Sequence, residues 1–281
     1  MQQFTFFRFL KHRSLLCCLV GFLIGTFQLN AQVLLDGGFN ARTSGLGNIV
    51  SVQSGAYSLG NNIAGLVQLE GMAANAFLSQ RYLSKDLNII GVSFALPTNS
   101  GAFSASFRHL GFDLWREQMV ALGYARKIGN KLYLGGQIDY YNLDLKEYGQ
   151  QSNFTFELGL QMEISSSVLI GVHTVNPIRA SLTEEDVLPA YLALGLAYQL
   201  NESLNLMGEI QQDLNGSTDI KMGLAYRLVE ALEAQIGYQS RASQFSFGLE
   251  YRSPFKLNLG MAMNYHQVLG FTPSVGIIYK K

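Results

Sequence analysis

The sequence predicts an all-β protein, a transmembrane antiparallel β-barrel of about fourteen strands preceded by a non-barrel segment. Three observations carry that expectation. From about residue 70 onward, apolar residues alternate with small or polar ones at period two, the pattern of strands with two differently solvated faces. The apolar face of segment after segment holds four to six residues, which suits strands of about 9–11 residues crossing a bilayer. Only 14% of the 281 residues are charged, whereas 48% are hydrophobic; an ordinary soluble domain carries about 25% charge. The 20 Lys and Arg balance 20 Asp and Glu, so nucleic acid is not expected as a partner.

Residues 1–31 read as a cleaved export signal. Arg8, Lys11, His12 and Arg13 form a basic stretch, Ser14 to Phe27 an apolar one, and Leu29-Asn30-Ala31 ends in a small residue. The apolar run is short for a membrane-spanning helix. Both cysteines, Cys17 and Cys18, fall inside it, so the mature chain needs no disulfide. Losing Arg8, Lys11 and Arg13 takes Lys and Arg from 20 to 17 against an unchanged 20 acids, a net charge of about −3.

Residues 32–69 follow as a separate segment, rich in Gly, Ser and Asn and without clean alternation. The barrel is expected over 70–281. Its strands are predicted at 70–82, 86–96, 101–109, 115–127, 131–144, 153–165, 168–176, 188–200, 203–213, 217–229, 231–241, 243–252, 256–266 and 271–280. The strand at 245–251 shows the logic, with Phe245, Phe247, Leu249 and Tyr251 opposing Ser246, Gly248 and Glu250. An even count lets both chain ends face the periplasm. Connections such as Gly129-Asn130 and Ser166-Ser167 are tight, as periplasmic turns should be. Those at 110–114, 145–152, 177–187 and 267–270 are longer, as outer loops should be.

Tyrosines recur near the ends of apolar faces (Tyr124, Tyr140, Tyr198, Tyr226, Tyr238, Tyr251, Tyr265, Tyr279), which suits aromatic girdles. Inward positions are small or polar and repeatedly Gly, as in a narrow or plugged lumen. The unit Gly-Leu/Ile-x-Tyr occurs at 195–198, 223–226, 248–251 and 276–279, and its glycine is expected to make room for a neighbouring ring.

Ala41-Arg42-Thr43-Ser44-Gly45-Leu46-Gly47, followed by Asn62-Ile63-Ala64-Gly65-Leu66, resembles the N-terminal hatch of the FadL-like outer-membrane proteins. The branch it looks most like is the PorV/PorQ type, which belongs to the type IX secretion system of Bacteroidetes. The run His266 to Thr272 with Gly276-Ile277-Ile278-Tyr279 is similar to that branch's last hairpin. Ile63 stands where the family has Pro. The resemblance implies a fourteen-stranded barrel with residues 32–69 as a hatch in the lumen. It also implies a structural or gating role for Ala41, Arg42, Gly45, Gly47, Asn62, Ala64, Gly65 and Leu66. In such a lumen Arg42 requires a carboxylate, from Glu157, Glu163, Glu209, Glu233 or Glu250, unless it is hydrated at the barrel mouth.

No catalytic constellation is legible. His109 and His266 sit near strand ends and His173 on an inward face, none with a Ser two residues away, and neither G-x-S-x-G nor H-E-x-x-H occurs. Glu184-Glu185-Asp186 reads as a solvated loop run. The expectation is therefore a protein that is not an enzyme, has no cofactor or metal, and sits in the cell outer membrane with outer-membrane lipid as a partner. On the resemblance it is a component or accessory of type IX secretion that engages secretion-system proteins or exported cargo. The alternative is a FadL-like channel for hydrophobic small molecules; a third reading is a structural envelope barrel. The Gly- and Gln-rich inward faces count against a fatty-acid tunnel.

Overall fold

The computed structural model describes residues 34, 35, 37–183, 187–214 and 216–281. The expected export signal (1–31) and the acidic run at 184–186 lie outside the described residues. Fourteen antiparallel strands close into a single barrel in which each pairs with its sequence neighbours and the first with the last. They are β1 (Ala73–Gln80), β2 (Asn88–Thr98), β3 (Gly101–Phe112), β4 (Trp115–Ile128), β5 (Leu132–Leu145), β6 (Gly149–Ser165) and β7 (Val168–Val175), followed by β8 (Tyr191–Gln199), β9 (Leu204–Asp213), β10 (Thr218–Val229), β11 (Leu232–Gln239), β12 (Gln244–Arg252), β13 (Leu257–His266) and β14 (Gly270–Lys280). Closure comes from β1 against β14, with Ala73 opposite Lys280 and Ser79 opposite Ser274. It leaves no sheet edge whose backbone groups would lack partners in hydrocarbon.

Alternation sorts side chains to the two faces. Leu122, Ile138 and Met222 are 65%, 62% and 60% exposed on the outer wall, a continuous apolar surface that only lipid solvates well. Among the described residues no helix is long and apolar enough to cross a membrane; strands make the crossing. The tyrosines divide between two levels. Tyr124, Tyr198, Tyr226, Tyr251 and Tyr279 lie toward the tight-turn end, while Tyr140, Tyr238 and Tyr265 lie toward the other. The latter stack across strands on Phe154, Phe245 and Phe271 at 5.0, 5.1 and 4.9 Å between ring centres. Such cross-strand aromatic pairs pin register.

Two expected outer loops are mostly strand. β3 and β4 continue to a short turn between Phe112 and Trp115, and β5 and β6 to one between Leu145 and Gly149. Their upper rungs, such as Asn142 opposite Ser152 and Asp144 opposite Gln150, are polar. The outward positions of this hairpin are polar while Tyr141 and Leu143 on its inward face stay buried, so the sequence loses its polar-in, apolar-out alternation there. The connection between β7 and β8 is the longest at that end.

Inside the barrel, residues 37–69 are mostly buried. They form one helical turn at Ala41–Gly45, capped by the Asn40 side chain on the Thr43 amide, and short 3-10 turns at Gly55–Ser58 and Ile63–Gln68. Asn at this cap position satisfies an amide that the helix itself leaves open.

Candidate functional site

The luminal segment is laid against the wall through glycines. A Cβ added to Gly159 would stand 2.0 Å from Asn62 Oδ1, one on Gly171 2.1 Å from Ser51 O, and one on Gly237 2.1 Å from Gly47 N. The glycines of the four Gly-Leu/Ile-x-Tyr units serve this purpose. Gly195 faces Ser51, Gly223 faces Leu46, Gly248 faces Gly45 and Gly276 faces Ala41. The expectation that they make room for a neighbouring ring is thus corrected: glycine and tyrosine three residues apart point to opposite faces, and the space accommodates the luminal chain. Gly47 adds a conformational demand, since its φ is +69° and a Cβ would also meet the Tyr238 backbone at 2.9–3.0 Å.

Polar contacts fix the same segment. Arg42 is 7% exposed, so hydration at the mouth does not describe it. Its Nε donates to Glu233 Oε1 at 2.9 Å and its Nη1 to Gln53 Oε1 at 3.1 Å, with the guanidinium 4.6 Å above the Tyr57 ring. Burial opposes its charge, but Glu233 and its neighbours outweigh that and raise the Arg42 pKa above its ordinary value. Glu233 also meets Arg252, which meets Glu250, and Glu250 accepts from the Tyr57 hydroxyl. Burial first, then the Glu250 charge, pushes the Tyr57 phenol well above its usual range.

Asn62 links segment and wall most directly. Its Nδ2 donates to Ser51 O at 2.7 Å and to the strand carbonyls of Val172 and Leu160 at 3.0 and 3.3 Å, while its Oδ1 accepts from Ala64 N. Ala41 Cβ lies 2.9 Å from the position a Cβ would take on Gly260. Gly65 is held against Ser58 Oγ and Gln53 O, and Leu66 is fully buried beside Leu59 and Ile63. The eight residues of the two motifs thus all lie in this segment, where Gly45 and Gly47 touch β10–β12 and Asn62 and Ala64 touch β5–β7.

Sequence reasoning missed a second ionic contact. Glu209 Oε2 accepts from Val50 N, Ser51 N and Ser51 Oγ at 2.6–2.9 Å, and Glu209 Oε1 pairs with Lys221 Nζ at 3.0 Å. Lys221, 1% exposed, also donates to Asn48 O at 2.9 Å. A lysine in the middle of the alternating run of β10, at an inward position, was the available signal.

The lumen is layered along the barrel axis. At the tight-turn end, between the segment and β6–β9, a polar cavity of about 300 Å³ is lined by Gln53, Tyr57, Gln68, Glu163 and Asn205 among others. The glycine-backed segment comes next. Beyond it lies a buried polar band on β3–β7 that includes Arg108, Gln137, Asp139, Glu157 and His173. Toward the outer end the inward face turns apolar, with Leu110, Met119, Tyr141, Leu143, Val175 and Tyr191 in one cluster. The expectation of small or polar inward positions does not hold at this level. Leu34 and Leu35 fill the compartment, each 2% exposed. Arg108 Nη1 donates to Leu34 O at 3.0 Å and Glu117 Oε2 accepts from Leu34 N at 3.3 Å.

The histidines have structural surroundings. His173 Nε2 lies 2.8 Å from Glu157 Oε2, and His266 Nδ1 accepts from the Val268 and Leu269 amides of its own turn. His109 faces outward near the end of β3 and is half-buried.

No protein-family model and no curated protein matches the chain. Solved structures do. The toluene transporter TodX of P. putida superposes with a TM-score of 0.66 at 12% identity, covering 87% of this chain and 99% of that one. The Ralstonia pickettii toluene transporter TbuX gives 0.65 at 13%, covering 90% and 98%. A Pseudomonas aeruginosa FadL homologue gives 0.58 at 11%, covering 87% and 100%. The fold is that of a FadL-type barrel. The three structures named are toluene transporters and a FadL homologue, none of them an enzyme or of the PorV/PorQ branch.

Proposed function

We propose that this chain is an outer-membrane channel admitting hydrophobic small molecules, with residues 32–69 as its hatch and outer-membrane lipid around its wall. The observation that carries the reading is the apolar compartment of Leu110, Met119, Tyr141, Leu143, Val175 and Tyr191 inside the outer end of the lumen. The chamber is filled by the chain's own Leu34 and Leu35, so an incoming apolar molecule and these side chains compete for one volume. The likeness to two named toluene transporters supports the same class of cargo.

The short turns at the outer ends of β3–β4 and β5–β6 offer little surface for capturing a protein, which speaks against the secretion reading. Uptake of labelled toluene by cells with and without the gene decides the matter. Uptake several-fold slower in the deletion strain is expected. Unchanged uptake, together with carboxy-terminally targeted exoproteins stranded in the periplasm, returns the role to type IX secretion.

A further inference from the structure

We propose that the polar band beneath the apolar compartment receives the protonated amino group of a hydrophobic amine, whose apolar body lies in the compartment above; this rests on the channel reading. Asp139 on β5 is fully buried. Its Oδ1 accepts from Gln137 Nε2 at 2.7 Å, and its Oδ2 has no hydrogen-bond partner. Glu157 and His173, 4% and 3% exposed, hold each other at 2.8 Å, while His173 Nδ1 is also without a partner. The one arginine of the band makes no direct ion pair with Asp139 or Glu157. Arg108 spends Nη1 and Nη2 on the carbonyls of Leu34 and Gly60, and its guanidinium lies 4.2 Å over the Phe39 ring. Among the described residues no ion pair reaches Asp139, and the one at Glu157 is with His173.

A buried carboxylate oxygen with no donor is unfavourable until a cation or donor meets it. An ammonium group supplies three donors and a charge of the needed sign. The compartment directly above presents Tyr141 and Tyr191, the latter edge-on to His173 at 6.1 Å, and aromatic faces attract a cation that has left water. An anionic amphiphile such as a fatty acid would set its own carboxylate against Asp139 and Glu157. A neutral hydrocarbon would fill the compartment and leave Asp139 Oδ2 as it is. The observed polarity therefore selects a cationic head on an apolar body.

The test uses the full mature chain in lipid nanodiscs and the fluorescence of Trp115, the single tryptophan of the sequence, which packs against the compartment. The probes are 2-phenylethylamine, 3-phenylpropionate and ethylbenzene, of similar size and opposite or no charge. The amine is expected to bind at least about ten-fold more tightly than the carboxylate, and Asp139→Asn to weaken the amine about ten-fold with ethylbenzene unchanged. Glu157→Gln should act in the same direction. Asp219→Asn, which removes a buried luminal carboxylate from β10 instead, should leave the preference intact. Heat-modifiable migration of each variant verifies the closed barrel. Ethylbenzene binding with equal affinity for amine and carboxylate overturns the inference alone, as does indifference of a closed Asp139→Asn barrel. Competition by ammonium chloride at the amine's own concentration also overturns it, showing a bare cation site. Absence of binding by all three probes overturns the channel reading with it.

Discussion

Gly47 and Gly237 approach so closely that a Cβ on Gly237 would stand 2.1 Å from the Gly47 amide nitrogen. The clash would be with backbone, which no rotamer change relieves. Gly237→Ala is therefore expected to lift the luminal segment from β11 and to cost about 1–3 kcal/mol, the usual penalty of overpacking. Chemical denaturation of the purified barrel measures the loss, and faster proteolysis within 37–69 reports the displaced segment. Gly136→Ala serves as the control. Its nearest neighbour, a Leu158 methyl, would be at 3.7 Å, ordinary contact, and a change within about 0.5 kcal/mol is expected.

The Arg42–Glu233 pair is a second attachment with a different signature. Both partners are over nine-tenths buried, so removing one leaves the other charged and poorly paired. Arg42→Met leaves Glu233 with Arg252 and Gln235, and a loss of about 3 kcal/mol is expected, the lower end for broken buried pairs. Glu233→Met strands Arg42 among Gln53 and the Tyr57 ring and takes one carboxylate from Arg252, so its cost should be the greater. The double variant should lose less than the two singles together, by about 1–3 kcal/mol of coupling. Strict additivity in denaturant titrations would show that the pair does not act as a unit.

Much of this architecture is legible in the sequence because lipid enforces a strict period. All fourteen strands, the tyrosines near apolar-face ends and the inward glycines follow from alternation. The upper part of the β5 and β6 hairpin escaped because its outward positions Asn142, Asp144, Gln150 and Ser152 are polar where the rule expects apolar residues. The luminal contacts are a different problem. Arg42 had five candidate carboxylates, and the one it meets is 191 residues away; periodicity places all five inward without ranking them. Leu34 and Leu35 carry no periodic signal, and their compartment is assembled from β3, β4, β5, β7 and β8, each contributing one or two apolar residues. Contacts between a non-repeating segment and a repeating wall are set by three-dimensional closure, which one sequence does not encode in any local pattern.

Tyr57 gives the molecule a pH dependence of defined sign. Its pKa is raised in the folded state by burial and by Glu250, above an unfolded value of about 10. The folded state thus holds this proton more tightly, and the associated stability is complete below pH 10 and lost as pH rises above it. Tyr57→Phe cannot ionise in either state. Its unfolding free energy should fall less steeply than that of the parent between about pH 10 and 12, by up to about 1.4 kcal/mol per pH unit from this one group. Parallel slopes for the two proteins would mean that the phenol ionises in the folded barrel as it does in water.

The compartment itself offers the most direct test of what the barrel admits. Leu34 and Leu35 pack against Leu110, Met119, Tyr141 and Tyr191, and the Leu34 backbone is held at both ends by Arg108 and Glu117. Leu34→Ala with Leu35→Ala removes apolar volume and leaves those backbone contacts in place. In a core, each such truncation costs about 2–5 kcal/mol, so the double variant should be less stable without ligand. The same vacated volume should favour any apolar molecule that can refill it, so affinity for ethylbenzene, read by Trp115 fluorescence in nanodiscs, should rise by about ten-fold or more. Bound ligand should then restore stability in proportion to the logarithm of its concentration. Destabilisation without a gain in affinity would mean that the compartment is only the packing site of the chain end and that apolar molecules do not enter it.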